Sequence, residues 1–194
     1  MTRAISMPAW CAAHGAAGPT TSPKYVTDGR ELPRRLIRID LASQRLDLVD
    51  ADGHSLERFP ISSAALGAGE RSGSNCTPRG RHLIRARIGA GQPLEAVFVG
   101  RRPTGEIWNE ELARAYPDRD WILTRILWLS GCEPGRNRLG QVDTMRRHIY
   151  IHGCPWTEPM GVARSHGCIR MRSGDVAALF DQVAVGTPVQ ICEG

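Results

Sequence analysis

Ile149-Tyr150-Ile151-His152-Gly153 and Ser165-His166-Gly167-Cys168-Ile169-Arg170-Met171 are the stretches on which the reading of this chain turns; twelve residues separate His152 from Ser165. The first is an apolar, β-favouring run that ends in a histidine and a glycine. The second sets a cysteine behind Ser-His-Gly. A cysteine attacks a carbonyl as its thiolate, and a free thiol ionises only near pKa ~8.5, so a base or an imidazolium must assist it. Histidine titrates in the right range. A glycine beside the thiol lets a substrate carbonyl approach the backbone and leaves N–H groups to hold an oxyanion. Cys168 is therefore the candidate nucleophile. His152 is its candidate base, provided the fold brings the two together.

Working outward, the pattern is mostly that of strands. Arg147–His152 reads as a strand and 153–167 as a loop containing Pro155, Pro159 and Gly161. After the cysteine, Ser173 reads as the cap of a helix running to about Val183, with Asp175 near its positive end, and Thr187–Cys192 as a last strand. Upstream, Ile37, Ile39 and Leu41 alternate, as do Leu46 and Leu48; Asp50-Ala51-Asp52-Gly53 supplies a turn before a strand at 56–61. These predict an antiparallel meander. Residues 62–80 form a long Ser-, Gly- and Pro-rich loop ending in Thr77-Pro78-Arg79-Gly80, and strands follow at 81–88 and 94–99. A short helix is expected over Trp108–Tyr116, stopped by Pro117, then a buried strand over Trp121–Leu129 and a polar connection over 131–146. Many strands with few helices predict a β-rich α+β fold. Residues 1–33, rich in Ala, Gly, Pro, Ser and Thr, are expected to be a flexible N-terminal arm, with the folded domain at 34–194.

Composition narrows the function. The net charge of +5 is spread among scattered arginines with no long basic run, which argues against nucleic acid as partner. No apolar run is long enough to span a membrane. Pro8 and His14 break the first apolar stretch, so no export signal is visible and a cytoplasmic location is expected; a different start would allow the periplasm or cell envelope. The six cysteines, Cys11, Cys76, Cys132, Cys154, Cys168 and Cys192, show no disulfide framework, and free thiols are expected. His148, His152, Cys154, His166 and Cys168 are also zinc-ligand types, but the one-residue gap within each His-Gly-Cys is unlike usual ligand spacing.

The run from Ile149 to Gly153 and from Ser165 to Met171 resembles the signature of the L,D-transpeptidase (YkuD-type) catalytic domain. Thr77-Pro78-Arg79-Gly80, Asp175, Leu179-Phe180 and Gly186-Thr187-Pro188-Val189 fit as well, so the resemblance covers about residues 35–192. It implies a mixed β-sandwich with a few short helices and the active-site cysteine on a loop. It implies attack by Cys168 on the diaminopimelate carbonyl of a murein stem tetrapeptide, with loss of D-alanine and formation of a thioester. His152 would be the base, oriented by the Gly153 carbonyl; N–H groups around Gly167 and Cys168 would form the oxyanion hole. Ser165 and His166 would shape the loop, and Arg170 would hold a substrate carboxylate. Partners would be peptidoglycan stem peptides or soluble muropeptides, and neither cofactor nor metal is required. Water as acceptor gives L,D-carboxypeptidation, as in recycling; an amine gives cross-linking. The short loop after His152 and the cysteine at Cys154, where threonine is more familiar, depart from the pattern. The rival readings are a non-catalytic murein-binding module and a zinc-binding protein.

Overall fold

The computed structural model describes residues 34–194, preceded by the backbone of two short strands, β1 (Tyr25–Thr27) and β2 (Arg30–Leu32), which pair antiparallel. Apart from that pair, the arm expected over residues 1–33 lies outside the described residues. Alternating burial defines the first core strands. In β3 (Leu36–Asp40), Ile37 and Ile39 are buried while Arg38 between them is exposed. β3 pairs antiparallel with β4 (Arg45–Val49), and β4 with β5 (Ser55–Pro60), giving the expected meander. The Asp50 carboxylate closes the turn between β4 and β5 by accepting from the N–H groups of Asp52 and His54.

The remaining strands are β6 (Gly80–Ile88), β7 (Ala96–Val99), β8 (Arg102–Ile107), β9 (Ile122–Gly131), β10 (Tyr150–Cys154), β11 (Ile169–Arg172) and β12 (Pro188–Cys192). Two helices accompany them, α1 (Glu110–Ala115) and α2 (Ser173–Gln182). The strand order is β11-β10-β9-β6-β12-β3-β4-β5, with β7 joining β9 and carrying β8. The sheet is mixed: β10 runs parallel to β11 and β12 parallel to β3, and the other pairs are antiparallel. One ten-stranded sheet curls on itself. Its two ends meet where Ser62, just past β5, exchanges backbone hydrogen bonds of 2.9 and 3.0 Å with Arg170 of β11. Inside the curl, Ile37, Ile39, Leu46, Leu48, Ile151 and Ile169 share one core with Leu179 and Phe180 of α2.

Three local departures from the expected pattern have physical causes. β10 begins at Tyr150, not Arg147, because His148 takes a positive φ of 56° that a strand cannot carry. β8 was not legible, because Arg102–Ile107 is solvent-exposed on both faces and shows no alternation. Ser173 is the first residue of α2 and not its cap; its hydroxyl accepts a 2.8 Å hydrogen bond from Thr124. α1 forms as read, capped by Asn109, whose side chain accepts from Leu112 N–H at 2.8 Å.

Candidate active site

The parallel register of β10 and β11 pairs Ile151 with Ile169 and His152 with Arg170. Cys168, one residue before β11, thereby falls beside Tyr150. The Tyr150 N–H donates to Cys168 Sγ at 3.4 Å, and the thiol donates to the His148 carbonyl, also at 3.4 Å. The strained backbone at His148 thus aims a carbonyl at the sulfur. Cys168 is half-buried and packs against the cluster that holds Tyr150 and Ile126.

The cysteine loop is held from three sides. Ser165 Oγ donates to the Cys168 carbonyl at 2.5 Å and accepts from the Gly167 N–H at 3.2 Å. Buried Thr77 donates to the Gly167 carbonyl at 3.0 Å and accepts from the Ala64 N–H at 3.0 Å, which gives Thr77-Pro78-Arg79-Gly80 a physical purpose. Gly167 sits at φ 129°, and a Cβ there would lie 3.1 Å from Ile149 Cδ1, so glycine is required. Because the Gly167 N–H is already bound to Ser165, it is not the free oxyanion donor expected of it. Among the described residues the Cys168 N–H has no acceptor, and that group is the one available.

His152 is 1% exposed. Its Nδ1 lies 2.8 Å from the Gly153 carbonyl, which can only accept, so Nδ1 carries the hydrogen and Nε2 is left as the lone pair. The Gly153 carbonyl thus lies where the orienting role expected of it would need it. Gly153 is also crowded: a Cβ would lie 2.7 Å from the Leu123 carbonyl. The crowding comes from a bulge, where pairing between β10 and β9 jumps from Ile126 to Leu123 and Thr124 takes φ 67°. Burial lowers the His152 pKa to about 4, and burial raises that of Cys168 to about 12. Both shifts favour the neutral forms. No hydrogen bond joins them among the described residues, and the electrostatic influence of Asp120 and Arg170 reaches both.

Arg170 is almost buried, and its guanidinium is already engaged, by Asp120 at 2.8 Å and Glu158 at 3.2 Å. The expected hold on a substrate carboxylate would require one of these to leave. His166 is exposed, 3.9 Å from Asp120, and stands between two cavities of about 300 and 240 Å³ that flank the cysteine loop. Arg147 escaped the sequence reading. Its guanidinium donates to the carbonyls of Gly69, Glu70 and Cys76 and to Ser74 Oγ, tying the long 62–80 loop beside the site. Only its place just before the Ile149–Gly153 run could have drawn attention to it.

Cys154 is buried, its thiol donates to the Met171 carbonyl at 3.4 Å, and burial lifts its pKa to about 12. Among the described residues, the cluster with metal-ligand spacing is Asp50, Asp52 and His54, of which Asp52 and His54 are exposed. Cys76, Cys154, Cys168 and Cys192 are free, as expected, whereas Cys132 is disulfide-bonded, contrary to that expectation.

A half-buried thiol, a buried neutral imidazole on the neighbouring strand and an unpaired backbone N–H at the sulfur's own residue are the parts of a cysteine acyl-transfer site. Residues 34–191 match the YkuD family, the L,D-transpeptidase catalytic domain, and the chain belongs to that family. It is 49% identical over 163 residues to the probable L,D-transpeptidases ErfK/SrfK of Escherichia coli strain K12 and of Salmonella typhimurium, a match covering 82% of this chain. The chain spans under half the length of these relatives, 44% and 45% respectively. Among solved structures, an L,D-transpeptidase from Xylanimonas cellulosilytica shares the fold (20% identity, TM-score 0.50, covering 84% of this chain and 62% of that one). So does L,D-transpeptidase 3 from Mycobacterium tuberculosis, solved with a faropenem-derived adduct (18% identity, TM-score 0.50, 83% and 61%).

Proposed function

We propose that this chain is a cysteine acyl-transferase acting on peptidoglycan stem peptides at the diaminopimelate–D-alanine bond. The observation that carries this reading is the setting of Cys168: its sulfur lies between the Tyr150 N–H and the His148 carbonyl, next to its own unpaired N–H. In the first half-reaction Nε2 of His152 takes the thiol proton as sulfur attacks the carbonyl carbon. The developing oxyanion takes the Cys168 N–H. Collapse breaks the C–N bond, His152 returns its proton to the departing D-alanine amine, and a thioester remains on Cys168. In the second half-reaction an acceptor amine or water loses a proton to His152, attacks the thioester and restores the thiol. With its hydrogen on Nδ1, His152 holds a lone pair on Nε2, and the thiol proton moves to it as sulfur attacks the carbonyl.

The test is to incubate the protein with a diaminopimelate tetrapeptide and follow free D-alanine and cross-linked dimer together. D-alanine release that disappears in Cys168→Ser supports the reading. Dimer formation names an amine acceptor, and release of tripeptide alone names water. Turnover that survives Cys168→Ser contradicts the proposal.

A further inference from the structure

We infer that Thr77 is a positioning residue for acyl transfer: by gripping the Gly167 carbonyl, its hydroxyl aims the Cys168 N–H at the oxygen on which negative charge develops. This rests on the proposed acyl transfer at Cys168. Gly167 and Cys168 carry four backbone polar groups between them. The Gly167 N–H and the Cys168 carbonyl are both held by Ser165 Oγ, and the Gly167 carbonyl accepts from Thr77 Oγ1 at 3.0 Å. The Cys168 N–H is left without an acceptor among the described residues. That N–H and the Gly167 carbonyl belong to the same trans peptide group, a nearly rigid plane in which the two point in opposite directions. Whatever fixes the carbonyl therefore fixes the N–H.

The glycine supplies no such restraint of its own. Gly167 sits at φ 129°, and without a Cβ the peptide plane beyond it turns at little cost. Thr77 comes from 90 residues upstream and is fully buried. Its hydroxyl has one hydrogen. The Ala64 N–H, 3.0 Å away, can only donate to the hydroxyl oxygen, so that hydrogen is committed to the Gly167 carbonyl. Thr77 is itself fixed at both backbone groups: its N–H donates to the Gly67 carbonyl at 3.0 Å, and its carbonyl accepts from the Gly69 N–H at 2.9 Å. Arg147 braces the same segment, donating to the Cys76 carbonyl at 2.6 Å and to the Gly69 carbonyl at 3.0 Å. Arg147 directly precedes His148, whose carbonyl accepts from the Cys168 thiol at 3.4 Å. One side chain thus ties the backbone that receives the thiol to the loop that aims the N–H. A hydrogen bond weakens steeply as its angle closes, so a plane free to turn would forfeit the oxyanion contact.

The experiment separates acyl transfer from thiol reactivity in Thr77→Val, Thr77→Ala and Thr77→Ser. Release of D-alanine from a diaminopimelate tetrapeptide passes through an oxyanion. Alkylation of Cys168 by iodoacetamide, followed by peptide mapping, displaces iodide and does not. Thr77→Val should lower kcat about 10- to 100-fold while KM and the Cys168 alkylation rate stay within about twofold, the pattern of a contact made only in the transition state. Thr77→Ala, which also lacks the hydroxyl, should show the same split and carries the test if the valine variant does not fold. Thr77→Ser restores the hydroxyl and should return kcat to within about threefold of wild type. If the hydroxyl-free variants keep wild-type kcat, lose alkylation in step with kcat, or are not rescued by serine, the inference is overturned while the acyl-transfer reading stands. If wild type releases no D-alanine and forms no thioester, both are overturned.

Discussion

The surroundings of Cys168 are built from backbone groups that the sequence does not display. Its thiol faces a carbonyl from His148 and an N–H from Tyr150, and burial holds it protonated, with a pKa pushed up to about 12. Its alkylation by iodoacetamide should therefore rise about tenfold per pH unit from pH ~7 to ~10, since thiolate is the reacting form. A plateau already reached near neutral pH would show a preformed thiolate–imidazolium pair instead. Cys168→Ser should abolish turnover, because a serine hydroxyl is barely ionised and this base is matched to a thiol. Cys154→Ser should retain most activity, Cys154 being buried and bound to Met171. At this scale the motif residues were legible as candidates, because chemistry restricts which side chains can serve. The Gly167 N–H, spent on Ser165, and the Arg170 guanidinium, spent on Asp120 and Glu158, were not legible, because local hydrogen-bond competition is decided by loop geometry.

Among the elements, the junction of β9 and β10 determines where His152 stands. The bulge at Thr124 presses the Leu123 carbonyl toward Gly153, and Gly153 in turn offers its own carbonyl to the imidazole. Gly153→Ala places a methyl 2.7 Å from a backbone oxygen, so the strand pair must shift. The variant should lose about 1–3 kcal/mol of stability, as overpacking does, and most of its kcat. Urea unfolding and steady-state rates would check this; wild-type values for both would mean that the bulge does not govern the site. Thr77→Val removes the hydroxyl that serves both Gly167 and Ala64 and should cost about 1–3 kcal/mol, measured the same way. Strand periodicity revealed β3 to β5 because one face of each looks into the core. It could not reveal β8, which buries neither face, and it misplaced the start of β10, where a positive φ at His148 ends the regular backbone.

For the whole molecule, the curled sheet explains why residues far apart in sequence converge on the site. The meander end at Ser62 stitches to Arg170, the loop carrying Thr77 docks under Gly167, and α2 closes the core beneath β9 and β10. This closure was not readable from the chain, because it depends on which strand ends meet after the sheet has twisted. Its cost appears in acid. His82 and His152 are both buried neutral, each with its pKa lowered by burial from 6.5 to about 4. Below pH ~6.5 the unfolded chain binds these protons and the folded chain does not, so stability is full above that pH and falls as pH drops toward 4. At about 1.36 kcal/mol per pKa unit, the loss should reach roughly 2 kcal/mol per histidine by pH ~5. Urea midpoints at pH 7 and 5 would show it, and equal midpoints would mean that the two imidazoles are not buried uncharged.

If the proposed acyl transfer holds, Cys168 carries the acyl group. The direct measurement is the intact mass of the protein quenched in acid after mixing with a diaminopimelate tetrapeptide, followed by peptide mapping of any adduct. A mass increase equal to the tetrapeptide less D-alanine, mapped to Cys168 and absent from Cys168→Ala, is expected. D-alanine release with no adduct at Cys168, or an adduct on another residue, would contradict it.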